Sequence, residues 1–276
     1  MHGTVSGFSY GLVTPVAAYI MACLGGALAL RCVTRSLLVE RSFKVGWLAL
    51  GAAALGCGIW SMHFIAMLGF RIDEADISYD MPLTLLSLGV AVAVVSLGVF
   101  IVGYGGTGPV TLGVAGLATG LGVAAMHYIG MASMTFRGDL QYQPVIVATS
   151  VAIAVVAATA ALWAAVTVRG FLPSLGASLI MGVAVTGMHY TGMTGLSVHL
   201  HNQNQVAPGV PLVSALVPLL IGPVVFLLLA GVIVMFDPLL VSGEGFDKVQ
   251  ADRGSDEGGS LFGEPEGRRN RDFTSL

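Results

Sequence analysis

Residues 174–198 read SLGASLIMGVAVTGMHYTGMTGLSV, a stretch that contains no Asp, Glu, Lys or Arg. About 20 predominantly apolar residues are enough for a helix to cross the hydrocarbon core of a bilayer, so this segment is predicted to span a membrane. It nevertheless carries a histidine, His189, with Met188 before it and Met193 four residues after it. An ionisable ring is energetically unfavourable in hydrocarbon, and its presence there therefore indicates a function.

The rest of the chain has the same apolar character. Of its 276 residues, 55% are hydrophobic and only 10% are charged, and the mean hydropathy is +0.87. Uncharged windows long enough for a span occur at about residues 8–30, 45–69, 82–103, 110–136, 144–167, 174–198 and 213–236. We therefore predict an all-α polytopic membrane protein with seven transmembrane helices, residues 1–236 forming the membrane domain.

Charges in the connections predict how the chain lies in the membrane. Lys and Arg favour cytoplasmic loops, and the opposite loops hold only Arg71 and Arg137. The first and fifth connections hold five such residues: Arg31, Arg35, Arg41, Lys44 and Arg169. The predicted orientation in the plasma membrane places the N-terminus outside.

The two ends of the chain differ in composition. The first window lacks a preceding positively charged segment and a clear cleavage site, so we expect it to stay as a span rather than act as a signal peptide. The polar residues 237–276 are predicted to form a disordered cytoplasmic tail. The net charge of −3 arises largely from this tail and one acidic loop, and it indicates no nucleic-acid partner.

The histidine segment of the sixth window has two earlier copies. Residues 62–67 read MHFIAM, residues 126–131 read MHYIGM and residues 188–193 read MHYTGM, so the histidines recur at steps of 64 and 62 residues. Each copy also has a glycine six positions before its first methionine: Gly56, Gly120 and Gly182. Each copy lies in an even-numbered span, so the repeating unit is a pair of helices used three times. Membrane repeats place a shared site at the interface between units, and a single three-part cluster is therefore predicted.

Helical geometry indicates what each copy offers to that cluster. Positions i and i+4 lie about 40° apart, so the histidine and the second methionine share a face, whereas the first methionine lies about 100° to the side. The small residue three positions after the histidine lies on this face and permits close approach of helices. At 1.5 Å per residue, His63 is expected roughly 9 Å, and His127 and His189 roughly 13 Å, from the outer ends of their spans.

A repeated pair of imidazole and thioether groups is suited to copper. Thioether sulfur suits Cu(I), and imidazole suits copper, zinc and iron. The candidate metal ligands are three histidines and six methionines: His63, His127, His189, Met67, Met131, Met193, Met62, Met126 and Met188. The alternative is that each histidine forms a hydrogen bond across a helix contact while each methionine only packs.

The three segments resemble the signature of the MHYT domain, a bacterial membrane module, above all in the tetrapeptide at residues 188–191. The resemblance covers about residues 8–236. It implies an integral membrane sensor that detects oxygen, carbon monoxide or nitric oxide through copper bound by the His and Met residues of the motif. Many MHYT proteins carry GGDEF and EAL domains after the membrane part, whereas the polar tail follows here. This departure predicts a stand-alone form whose signal passes to a separate cytoplasmic protein, the alternative being that the chain does not signal.

The sequence departs from the signature in two copies. Phe64 replaces the tyrosine and Ile65 the threonine of the first copy, and Ile129 replaces the threonine of the second. A phenolic hydroxyl is therefore not essential in every unit.

Two other function classes remain open. The first is a copper or ion permease, against which stands the lack of acidic residues in the predicted spans, since many coupled transporters use Asp or Glu as relays. The second is haem held by two histidines or by a histidine and a methionine. No nucleophile–base motif, phosphate-binding glycine loop or pair of buried carboxylates appears, so no enzyme activity is predicted. His199 and His201, just beyond the sixth span, are expected to be solvated in a flexible loop.

Overall fold

The computed structural model describes residues 2–7, 9–39, 41–200 and 209–237. Its helices are α1 Val13–Ser36, α2 Arg41–Leu68, α3 Met81–Gly105, α4 Pro109–Ala132, α5 Pro144–Thr167, α6 Phe171–Thr194 and α7 Leu212–Met235. All seven are long and apolar enough to cross a membrane. The predicted seven-helix membrane fold is confirmed. The predicted tail lies outside the described residues from residue 238 onward.

Helix α1 extends further than the sequence predicted, because Arg31 lies over the Phe171 ring of α6, at 5.7 Å from its centre, and Arg35 also has partners in the bundle. The window ended at residue 30, but α1 continues through Arg31 and Arg35 to Ser36. The Arg35 Nε donates to Asp237 Oδ2 at 2.8 Å, and its guanidinium lies 5.4 Å from the centre of the Trp47 ring. These two arginines therefore belong to the last turns of a helix and not to a loop.

Three helices have a proline in their first turn, where proline is well tolerated. Pro82, Pro109 and Pro144 occupy the first turns of α3, α4 and α5, where a backbone N–H has no partner within the helix to lose. The Asp80 side chain caps α3 by accepting the Leu83 N–H at 2.8 Å. The sequence thus fixes the ends of these spans locally.

The first six helices form a closed ring. Each packs on the next along the chain, and α6 packs back on α1. A Cβ on the repeated glycines of α2 and α4, Gly56 and Gly120, would meet the backbones of α3 and α5, and one on Gly182 of α6 would meet Cys23 of α1. Small residues permit this close approach. The three two-helix units therefore use the same kind of interface three times around the ring.

Helix α7 lies outside the ring. It packs mainly on α2, with a smaller contact to α1. Because α7 covers one side of α2, α2 is the most completely buried of the seven helices. The first unit is thus distinguished from the other two by its neighbour.

Short antiparallel strands cover one end of the bundle. In three sheets, β2 (Val5–Ser6) pairs with β3 (Arg71–Ile72), β4 (Ser78–Tyr79) lies between β5 (Met134–Thr135) and β8 (Val210–Pro211), and β7 (Leu196–Leu200) lies between β1 (His2–Gly3) and β6 (Gly138–Tyr142). All come from the N-terminal segment and from the connections that follow α2, α4 and α6, so they share one end. We call these strands the strand cap.

The strand cap corrects two expectations. Helices α4 and α6 end at Ala132 and Thr194, four residues before their predicted ends, because β5 and β7 begin soon after. His199 lies in β7 opposite Asp139 of β6, so its expected place in a flexible loop was wrong. His201 lies outside the described residues.

The N-terminal segment is also held to the cap by a side chain. The Thr4 N–H donates to Glu74 Oε2 at 2.8 Å. Hydrogen bonding from Thr4 lowers the pKa of the Glu74 carboxyl, which is fully exposed to solvent.

Candidate metal centre

The motif histidines occupy equivalent positions beneath the strand cap. Each lies five residues before the last residue of its helix, α2, α4 or α6. At 1.5 Å per residue this places all three about 7–8 Å from the helix ends. The three histidines therefore lie at the same depth, and the 13 Å expected for His127 and His189 was too large because their helices end early.

The imidazole rings of the three histidines converge on one point. The His63 Nδ1 lies 3.0 Å from the His189 Nδ1 and 3.2 Å from the His127 Nδ1, and the latter two atoms are 3.3 Å apart. None of the three side chains is more than 1% exposed. The structure thus brings together three residues from three repeats, and we call them the histidine triangle.

Hydrogen bonding alone does not satisfy the histidine triangle. In a neutral imidazole, each Nδ1 is either a donor or an acceptor. Donors and acceptors cannot alternate around a closed set of three atoms, so at least one of the three contacts joins two donors or two acceptors. A cation between three acceptor Nδ1 atoms interacts favourably with all of them.

The rings are held in a propeller-like arrangement. Their centroids lie 5.0–5.1 Å apart and their planes are inclined by 79–89° to one another. Each imidazole also packs edge-to-face on the aromatic residue that follows it, at 4.6 Å for Phe64, 4.8 Å for Tyr128 and 5.0 Å for Tyr190. The aromatic position of the repeat therefore supports the ring, a role that phenylalanine fills as well as tyrosine.

The small residue of the second and third motifs lies against the imidazole ring of the preceding unit. A Cβ on Gly130 of α4 would meet the His63 Nε2, and one on Gly192 of α6 would lie 2.8 Å from the His127 Nε2. In the first copy the position is Ala66, which packs with Met62 beside Tyr190. The small residue thus allows the three histidine-bearing helices to approach each other at this level.

The second ring nitrogen, Nε2, of two triangle histidines is buried without a hydrogen-bond partner in the described part of the chain. The Nε2 atoms of His63 and His127 are buried, and neither has a hydrogen-bond partner among the described residues. A metal-bound histidine usually donates its second ring N–H to a carboxylate, a carbonyl or water. Here the backbone at a glycine lies in that place.

The six motif methionines are buried or half-buried in the packed interior. Met67, Met126, Met131 and Met188 lie in the main core, Met62 lies in a smaller cluster and Met193 is half-buried against the core. The contacts that define the triangle involve imidazole nitrogens alone. Ligation by methionine sulfur therefore stays a prediction.

Polar partners that the sequence analysis missed hold the aromatic residues around the triangle. The Trp60 Nε1 donates to Ser87 Oγ of α3 at 3.0 Å, and the Tyr128 hydroxyl is hydrogen-bonded to Ser150 of α5 at 2.7 Å. Tyr142 packs edge-to-face on Tyr128, and burial raises the pKa of Tyr142 to about 12. Both serines lie on the odd-numbered helices of their units, outside the six-residue motif, so the motif does not mark them.

The geometry of the triangle fits a transition-metal ion. Around a tetrahedral ion with metal–nitrogen bonds of about 2.0–2.1 Å, neighbouring nitrogens are about 3.3 Å apart. The observed separations of 3.0, 3.2 and 3.3 Å are close to this value. Three imidazoles also form the protein ligand set of open metal sites, which keep a position for a further ligand.

The repeat that forms the triangle belongs to a known family. The MHYT family, described as "Bacterial signalling protein N terminal repeat", matches residues 56–115 and 120–178. The chain is an MHYT-repeat protein. Its third motif, at residues 188–193, lies beyond the matched residues but supplies the third corner of the triangle.

The MHYT chain is similar to much longer signalling proteins. It is 40% identical over 190 residues to the bifunctional diguanylate cyclase/cyclic di-GMP phosphodiesterase MucR of Pseudomonas aeruginosa, covering 67% of this chain and 28% of that protein. It is 42% identical over 188 residues to the cyclic di-GMP phosphodiesterase NbdA of the same organism, covering 65% and 23%. It is 30% identical over 212 residues to an uncharacterized signaling protein of Caulobacter vibrioides, covering 76% and 26%.

The chain thus spans less than a third of the length of these relatives. No solved structure matches it. Its seven apolar helices and its MHYT repeats together make it a multi-pass membrane module of a signalling family.

Proposed function

We propose that this chain is a sensor that holds copper in the histidine triangle and detects a diatomic gas (oxygen, carbon monoxide or nitric oxide) or copper itself. The observation that carries the proposal is the convergence of three buried Nδ1 atoms within 3.0–3.3 Å of one another. Burying three imidazoles in mutual contact is unfavourable without a shared partner. A metal ion is such a partner.

The choice of copper rests on a second feature of the repeat. Imidazole nitrogen alone accommodates copper, zinc and iron, whereas thioether sulfur favours Cu(I). Met67, Met131 and Met193 follow the histidines by one helical turn and are the candidates for additional ligands on the same helix face. When bound, copper supplies a redox-active centre that imidazole and thioether ligands stabilise.

The protein's own residues suggest how such a site communicates. Each corner of the triangle lies on a different helix, so a change in the spacing of the three Nδ1 atoms favours a different arrangement of α2, α4 and α6. Each of these helices packs through its repeated glycine on the next odd-numbered helix. A shift at the triangle is thereby passed to the whole ring, and a separate cytoplasmic signalling protein is the expected receiver.

The proposed orientation places the strand cap and the N-terminus outside the plasma membrane. The five Lys and Arg residues counted above lie at the opposite end of the bundle, which supports a cytoplasmic location for that end. The histidine triangle then lies in the outer half of the membrane.

The alternative functions have less support. No acidic residue lies within the seven described helices, which disfavours a permease that couples transport to carboxylate protonation. Two axial ligands across a haem iron lie about 4 Å apart, twice a metal–imidazole bond of about 2.0 Å, and the Nδ1 atoms of the triangle are closer than that. We propose no enzyme activity for the membrane module.

The experiment that tests the proposal is elemental analysis of protein purified in mild detergent without added metal. We expect stoichiometric copper in the natural protein and loss of copper when His63, His127 and His189 are all changed to Ala. His199→Ala, in β7, is the matched control and should keep its copper. Equal copper in the triple variant and the natural protein would contradict the proposal, as would a folded natural protein that takes up no copper when it is supplied.

A further inference from the structure

A small cavity lies inside the helix ring, and none of the three triangle histidines lines it. Its volume is about 40 Å³, and residues from all of the helices α1 to α6 line it. The cavity therefore lies within the same ring of three repeated units as the histidine triangle.

The lining places this cavity directly beside the triangle. Ile59, Val123 and Val185 line it, and each precedes a triangle histidine by four residues on the same helix. Residues four apart are neighbours on one helix face, so the cavity begins about 6 Å from the histidines along the helices. It lies on the side of the triangle away from the strand cap, and Met188 borders it next to His189.

The chemistry of the lining selects an apolar guest. Among the residues that line the cavity in the described part of the chain, Thr119 is the one with a polar side chain. Its hydroxyl already faces the Val94 carbonyl oxygen at 3.5 Å. A buried water needs two to four polar partners, and apolar cavities of this kind stay dry and bind apolar guests such as xenon.

The size of the cavity suits a very small molecule. A volume of about 10–15 Å³ on this measure accommodates one water-sized sphere, and the cavity of about 40 Å³ is therefore large enough for one diatomic molecule. Ions and hydrogen-bonding solutes are disfavoured because the lining offers them no compensating partners.

We propose that this cavity is a docking site for a neutral apolar diatomic molecule, which it holds beside the histidine triangle. The inference rests on the proposed function, because a docked molecule is detected only if the triangle holds the metal ion that it binds. The three units supply equivalent walls, and the α5 alanines, including Ala158, provide the space.

The direct test uses xenon as the probe on crystals of the metal-free protein under xenon pressure. We expect an anomalous xenon peak bounded by Val123, Ala158 and Val185. Ala158→Leu fills the space and should abolish the peak, whereas Ala160→Leu, on an exposed face of the same helix, should keep it. Ordered water or an empty cavity at saturating xenon in the natural protein would overturn the inference.

A second measurement separates this inference from the proposed function. In copper-loaded protein, carbon monoxide binding after flash photolysis should be slower in Ala158→Leu than in Ala160→Leu, with equal copper content. A xenon peak in a protein that never binds copper contradicts the proposed function. Copper binding without xenon, or equal carbon monoxide kinetics in two folded variants, contradicts the docking site alone.

Discussion

Gly192→Ala places a single methyl group against the histidine triangle. The new Cβ would lie 2.8 Å from the His127 Nε2, whereas ordinary van der Waals contact begins at 3.4 Å, so a displacement of 3.4 − 2.8 = 0.6 Å is required. The His127 ring is packed on Tyr128 and on the two other imidazoles, so its retreat moves the Nδ1 atom. Changes to the support of a metal ligand typically lower metal affinity by about 10–100-fold, and we expect a loss in this range.

The assay is competition for Cu(I) against a chelator of known affinity, in detergent, at fixed protein concentration. The matched control is Gly187→Ala, on the same helix, where a new Cβ would meet no atom within 4 Å. Alanine is the better helix former by about 1 kcal/mol, so the control should fold at least as well as the natural protein and bind copper with the same affinity. If Gly192→Ala binds copper as tightly as Gly187→Ala, the close contact at the triangle does not control the site.

Three further perturbations follow from contacts elsewhere in the bundle. Ser87→Ala removes the acceptor of the buried Trp60 N–H between α2 and α3, and should lower the free energy of unfolding in an SDS titration by about 0.6–1.7 kcal/mol, the range measured for hydrogen bonds between membrane helices. Asp237→Ala removes the carboxylate that accepts from Arg35, and should lower the free energy of unfolding by about 1.5–3 kcal/mol, as expected for a charged hydrogen bond; an unchanged transition would show that the ion pair does not hold the end of α7. The folded-state pKa of Glu74 is below its ordinary value of 4.5, so its stabilising contact is present above that pH and is lost as the pH falls through the lowered value. Amide exchange of the N-terminal strands, corrected for its intrinsic rate, should accelerate over that range in the natural protein but show no such pH dependence in Glu74→Gln.

The sequence predicted the membrane helices well because each depends on a local property. An uncharged window of sufficient length is a span wherever it occurs, and the prolines that open α3, α4 and α5 mark its start. The strand cap was not predicted, because most of its strands are two residues long and pair with segments far away in the chain. Such short strands leave no alternating pattern to read.

The candidate site was predictable only as far as it repeats. An ionisable ring that recurs three times in apolar surroundings predicts a site at His63, His127 and His189. The structure brings these three residues together. Their approach through Nδ1 depends on ring orientation, which spacing along the chain does not determine. The roles of Ser87 and Ser150 were not predicted, because each serine forms its hydrogen bond across a helix interface that the sequence does not reveal.

The position of α7 makes the three units unequal in one respect. This helix makes its main contacts with α2 and α1, and just beyond its end Asp237 is joined to Arg35 of α1. The described part of the chain thus ends alongside α1 and α2, the main neighbours of α7. In the sensor proposed above, α7 is therefore coupled most directly to the first repeat, and damage to that repeat should weaken the response to ligand more than matched damage to either of the others.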